Sequence, residues 1–182
     1  MGNPGLEYQK TRHNAGFMLI DRLASAHHIK IKNAFFRPLQ IGRGRFNDEP
    51  VILAKPLTFM NRSGVVIPYL LKRFNLKSDS LVIICDNLDL APGEIRFKAK
   101  GSSGGQRGLQ SVIDVLGTSD FKRLFIGIGR PKAGGPVVHH VLGEPEEAES
   151  RQIDCALEKG ERVLMSLFSQ SIDKVMGWAN QR

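Results

Sequence analysis

Asn3, His13, Asn61 and Asp86 are the side chains whose types could do chemistry together. A histidine held by a carboxylate and flanked by amides activates water. The carboxylate fixes the tautomer, the imidazole takes the proton, and an amide steadies the developing oxyanion. Such a set needs no nucleophilic side chain. Asn3 and His13 belong to one stretch, Gly2 to Phe17, in which Asn3-Pro4-Gly5 is turn chemistry, so the two can face the same space. Tyr8 adds a phenol there. Asn14-Ala15-Gly16 puts a capping residue and small side chains beside His13, leaving room for a substrate.

Other stretches compete for the chemistry. Gly101-Ser102-Ser103-Gly104-Gly105 fits G-x-S-x-G, with Asp114, Asp120, His139 and His140 following in serine-acid-histidine order. The preceding segment, Glu94 to Lys100, alternates with charged residues, whereas a nucleophile elbow follows a buried strand. The same loop lacks Gly-Lys-Ser/Thr, against a P-loop, although a glycine-rich loop feeding a helix offers N–H groups to an anion. His139 and His140 are adjacent and cannot share a helix face as a zinc pair does. Lys98 and Lys100, with Arg96 beside them, form either a solvated strand face or a phosphate track.

The elements that must position these groups follow from periodicity. Phe17, Ile20, Leu23 and Ala24 predict an amphipathic helix over 15–28. Residues 34–45 and 51–54 read as two strands joined through Asn47-Asp48-Glu49-Pro50, and 65–74 as a helix capped by Asn61 or Ser63. Leu81 to Cys85, continuously apolar, is the expected central strand, and Asp86 follows at the end where open α/β sheets place ligands. A strand over 94–100, a helix over 106–116 and a buried strand from Phe121 come next. Residues 132–145 read as a flexible Gly/Pro-rich link, and the tail as one long and one shorter helix. The expected fold is α/β: a three-layer α/β/α single domain, residues 1–182, around a twisted mixed central sheet.

A chain of 182 residues buries a real core without disulfides or metal. Lys and Arg number 26 against 18 acids, a net charge of +8, so the expected partner is a polyanion, with a membrane surface as the other choice. No apolar run spans a bilayer and no signal-peptide pattern opens the chain, which points to a cytoplasmic protein. Cys85 and Cys155 are read as buried thiols, not a disulfide framework.

Together Gly2-Asn3-Pro4-Gly5, Tyr8, Thr11 to Gly16, Lys55 to Gly64, Asp86 to Gly93 and Phe121 to Pro131 resemble the bacterial peptidyl-tRNA hydrolase family. The likeness runs from Gly2 to about Gly143. It implies a monomeric enzyme that hydrolyses the ester joining a peptide to the terminal ribose of tRNA, without metal or organic cofactor. By the same resemblance His13 is the general base, Asp86 orients it, Asn3 and Asn61 hold the substrate's peptide and carbonyl, and Tyr8 and Met60 line the cleft. A non-catalytic RNA-binding protein on the same fold is the rival reading.

Three departures stand out. Family members begin with an apolar strand running into Gly-Asn-Pro-Gly; here the chain opens at Met1-Gly2, so the first strand is expected to be missing, from a misplaced start or a shortened chain. That loss would expose apolar edges and loosen Asn3. Gln106-Arg107-Gly108 stands where the resemblance predicts His-Asn-Gly, so Arg107 keeps anion contact but changes a role in handling water and the tRNA end. The family's clamp on the tRNA 5′ phosphate uses two basic residues: Lys98 fits one, Phe125 occupies the place of the other, and Arg123 is the expected substitute.

Overall fold

The computed structural model describes residues 1–131 and 135–181. Helix α1 (Ala15–Ala26) buries Phe17, Leu19, Ile20 and Leu23, as its three-to-four spacing requires. It is followed by a short strand β1 (Lys32–Asn33) and the hairpin β2 (Leu39–Phe46) and β3 (Glu49–Pro56), an antiparallel sheet in the order β1-β2-β3. Asn47 and Asp48 turn the hairpin with φ of 47° and 65°, the left-handed pair that a two-residue turn needs to match strand twist. The chain then runs through a 3-10 segment (Met60–Val66) into α2 (Ile67–Phe74). Asn61 and Ser63 do not cap that helix: the Ser63 hydroxyl donates to the Met60 carbonyl instead, holding the turn that precedes it.

The second sheet is mixed. Strands β4 (Val82–Asn87), β5 (Ile95–Lys98) and β6 (Lys122–Gly127) lie in the order β4-β6-β5, with β4 parallel and β5 antiparallel to β6. The middle strand is therefore β6, not the 81–85 run expected to be central. Both carry an unbroken four-residue run without polar side chains, Val82 to Cys85 and Leu124 to Gly127, because both are covered on two faces. Ile84, Leu124 and Ile126 point to a core shared with α1, α5 (Glu147–Ser166) and α6 (Ile172–Ala179). Their neighbours Ile83, Cys85 and Phe125 point to a second core shared with α2 and α3 (Arg107–Leu116). This period-two division produces the three α/β/α layers, and each fully buried Leu or Phe adds roughly 2 kcal/mol to it.

One expected sheet is thus two three-stranded sheets. A cavity of about 1170 Å³ lies between them, lined by Leu53 and Ala54 of β3 and Val82, Ile83 and Ile84 of β4. Leu53, Ile83 and Ile84 are buried and Ala54 and Val82 partly buried, so the apolar edges expected to be exposed are not exposed here. At one side of the cavity the Met1 amino group donates to the Ile84 carbonyl.

Of the link expected over 132–145, residues 132–134 lie outside the described residues, and Val137–Leu142 form a short helix, α4. Cys85 is buried and its thiol is pushed up to about 12 by desolvation, so it is inert. Cys155 corrects the expectation of two buried thiols: it lies on the solvent side of α5. Among the described residues, no helix is long and apolar enough to cross a membrane.

Candidate active site

His13 sits in a 3-10 turn (Arg12–Asn14) immediately before α1, and Asp86 is the penultimate residue of β4. The two meet with Nδ1 2.8 Å from Asp86 Oδ2. Asp86 is almost fully buried, and His13 keeps part of its ring in solvent. A carboxylate at this distance accepts a hydrogen bond from Nδ1–H, which leaves the lone pair on Nε2. That is the tautomer a base needs.

Asn3 is not loosened. It is 7 % exposed, and three hydrogen bonds hold it. The Asn14 carboxamide pairs with the Asn3 main chain, accepting from its N–H at 2.7 Å and donating to its carbonyl at 2.9 Å. Asn14 therefore acts on the turn, not as the side-chain cap of α1. The Asn3 Oδ1 accepts from the Met60 N–H at 2.8 Å, leaving its Nδ2 without a protein partner among the described residues.

Gln106 completes the set, and sequence reasoning did not single it out as a site group. Its Nε2 donates to Asp86 Oδ1 at 3.0 Å and lies 3.2 Å from the Met60 sulfur, while its Oε1 accepts from the Leu109 N–H and caps α3. The available signal was its position: a helix N-cap after a glycine-rich loop, level with the strand end that carries Asp86. The contacts close a ring from His13 through Asp86, Gln106, Met60 and Asn3 to Asn14, the residue next to His13.

Two glycines let the parts come this close. A Cβ on Gly64 would lie 2.1 Å from the Ser111 carbonyl oxygen, and one on Gly108 would lie 2.6 Å from the Met60 sulfur. The Met60–Val66 segment and α3 therefore pack backbone to backbone.

Asn61 is exposed beside Met60 and shares a shallow pocket of about 370 Å³ with Arg107, Gln110, Ser111 and Asp114. Tyr8 is half-buried in the 3-10 turn Leu6–Tyr8, and its carbonyl accepts from the Thr11 hydroxyl. Lys98 ends β5 in solvent; Lys100 lies just beyond the strand, also exposed.

Arg123 departs from its expected role. It is 0 % exposed, and its guanidinium donates to the carbonyls of Gly101, Ser102, Ser119 and Phe121. Burial lowers its pKa from the ordinary arginine value. Its main chain pairs with Lys98 across β5 and β6, but its fork is spent on shaping the glycine-rich loop, so it is not a second exposed cation there. Ser103 donates to Gln110 Oε1 at 2.7 Å instead of meeting an imidazole, and His140 Nε2 lies against the carbonyls of Ile128 and Gly129. Among the described residues, no three His, Cys, Asp or Glu side chains are placed to hold a metal ion.

The His13 turn is anchored from outside. Arg12 forks onto Glu149 of α5, with Nε 2.7 Å from Oε1, and donates to the carbonyls of His140, Gly143 and Glu144. The guanidinium holds the Glu149 carboxyl below its usual range. Since the folded pKa lies below the unfolded one, this pair stabilises the fold at neutral pH and loses that contribution as pH falls through the folded value. Glu149→Gln should therefore narrow the gap in Tm between pH 7 and pH 3 relative to wild type; an unchanged gap would remove the anchor from the acid response.

Gln106→Glu keeps the α3 cap acceptor but loses the donor to Asp86 and brings a second negative charge to about hydrogen-bond distance. The added charge favours the imidazolium form of His13. The acid limb of the pH–rate profile should move to higher pH, with activity at pH 7 down roughly tenfold. An unshifted profile would show that Gln106 acts only as a cap.

The fold and the site define an α/β protein that presents a carboxylate-oriented imidazole at the end of a parallel strand pair, with the Asn3 amide held nearby through Asn14, an arrangement suited to activating water. The peptidyl-tRNA hydrolase family profile matches residues 1–182, and the chain belongs to that family. It is 48 % identical over 157 residues to the peptidyl-tRNA hydrolase of Geobacillus kaustophilus, covering 86 % of this chain and 84 % of the relative. To the one from Aquifex aeolicus it is 42 % identical over 183 residues, covering 100 % and 94 %. The crystal structure of peptidyl-tRNA hydrolase from Acinetobacter baumannii superimposes with a TM-score of 0.92 at 36 % identity, covering 98 % of this chain and 91 % of that one.

Proposed function

We propose that this chain hydrolyses the ester between a peptide, or an N-blocked aminoacyl group, and tRNA, acting as a monomer in the cytoplasm and releasing tRNA for reuse. The observation that carries this reading is the 2.8 Å contact between His13 Nδ1 and Asp86 Oδ2, in a member of this family. Water held at His13 Nε2 gives up its proton as it attacks the ester carbonyl. The negative charge that develops on the carbonyl oxygen is met by the free Nδ2 of Asn3 or by the Asn61 carboxamide. Collapse of the tetrahedral intermediate breaks the bond to the ribose oxygen, which takes the proton back from the imidazolium. The products are a peptide carboxylate and a tRNA hydroxyl.

Tyr8 and Met60 border the acyl side of this reaction, and Arg107, in the pocket with Asn61, offers a cation to the tRNA end. Lys98 and Lys100 are available to phosphate from the edge of β5. No step calls on a metal or an organic cofactor. Single-turnover hydrolysis of an N-acetyl-aminoacyl-tRNA by the chain tests the reading. Release of the acyl group at a rate well above the uncatalysed one supports it; binding of tRNA without cleavage would replace it with the RNA-binding alternative.

A further inference from the structure

The positive charge of this chain is not spread over it. Residues 30–77 hold ten Lys and Arg against two acids, Asp48 and Glu49; elsewhere sixteen cations balance sixteen acids. The net charge of +8 is therefore the charge of sheet β1-β2-β3 and α2.

Within this region the cations are arranged with aromatic rings. The Arg37 guanidinium lies 5.0 Å from the Tyr69 ring centre, and Arg43 and Arg73 flank the Phe74 ring at 5.8 and 5.7 Å. Arg37, Arg43, Lys72 and Arg73 are exposed, and among the described residues none has a carboxylate within ion-pair distance. Stacking restrains the guanidinium planes while leaving their N–H groups outward. Like charges held this close repel one another, and a polyanion relieves that repulsion.

We propose that the seam between β2 and α2 docks the sugar-phosphate backbone of the double-stranded arm of the tRNA substrate, away from the ester. This rests on the hydrolase reading given above. The placement fits. The turn carrying Arg37 adjoins the segment leading to the site, since the Leu57 N–H donates to the Pro38 carbonyl at 2.7 Å, and α2 continues from the Met60–Val66 segment. Eight residues of α2 span about 12 Å. An A-form RNA duplex presents a phosphate roughly every 3 Å of helix axis along each strand, so the seam faces roughly four phosphates. The four exposed cations match that number. This face is separate from Lys98 and Lys100, which lie at the end of β5.

The test compares wild type with Arg37→Gln/Lys72→Gln/Arg73→Gln on two substrates: an N-acetyl-aminoacyl-tRNA, and the same acyl group on a CCA trinucleotide. Loss of the three contacts should lower the slope of log K against log salt for tRNA by about 2 to 3. On full tRNA, KM should rise about tenfold or more with kcat kept, while kcat/KM on the trinucleotide stays within about twofold. The charge-keeping variant Arg37→Lys/Lys72→Arg/Arg73→Lys should retain most of the tRNA affinity. Equal salt slopes, equal losses on both substrates, or loss in the charge-keeping variant would each overturn the assignment. So would binding of wild type to anionic lipid vesicles with tRNA affinity unaffected by the triple substitution. Failure of wild type to cleave either substrate would instead count against the hydrolase reading.

Discussion

His13→Ala should reduce the single-turnover rate on N-acetyl-aminoacyl-tRNA by roughly a hundredfold or more while tRNA affinity is largely kept, because in the proposed mechanism it removes the group that takes the proton from water. The local structure supports a clean result. The turn is fixed by the Asn14 pairing with Asn3 and by the Arg12 fork on Glu149, neither of which involves the imidazole. Asp86, left without its imidazole, still has the Gln106 donor at 3.0 Å, so the buried carboxylate is not stranded. An equal fall in tRNA binding would contradict the role of base.

Asp86→Asn should cost more than its near-identical shape implies. Gln106 can only donate to the position of Oδ1, so the new amide places its oxygen there and its NH₂ toward His13 Nδ1. The imidazole must then accept at Nδ1 and carry its proton on Nε2, which leaves no lone pair for water. A loss of roughly a thousandfold in kcat is expected, with KM nearly unchanged, by the logic that a wrong histidine tautomer disables a base. Substitution of both residues, Asp86→Asn with Gln106→Glu, offers an acceptor at the Oδ1 position and allows the new amide to turn. Partial recovery of kcat is the expected result, and no recovery would show that the charge of Asp86, not its orienting role, carries the effect.

Much of the site was legible from residue types. A histidine in a tight turn and an aspartate ending an apolar run define a pair with a chemical purpose, and the structure puts them in contact. Helices α1, α3 and α5 followed from their apolar spacing because each has one buried face. Parity gave less. In a strand covered on both faces, alternation no longer separates solvent from core, so Arg123 read as a surface cation although its guanidinium is wrapped by four carbonyls. For the same reason the middle strand could not be told from its neighbour, since β4 and β6 are equally apolar. Gln106 was passed over because its partner comes from another element: a polar N-cap is ordinary locally, and only the strand order places it against Asp86.

The ring of hydrogen bonds around Asp86 also has a meaning for how the chain folds. Its links join residues separated by 73, 57 and 46 positions, so no short contiguous fragment of the chain contains the whole ring. Such contacts carry the loop-closure entropy of most of the sheet, and they close only after β4 and the Met60–Val66 segment have found each other. Catalytic competence is thereby a property of the completed topology: a partly folded chain with native helices has the imidazole but nothing to aim it.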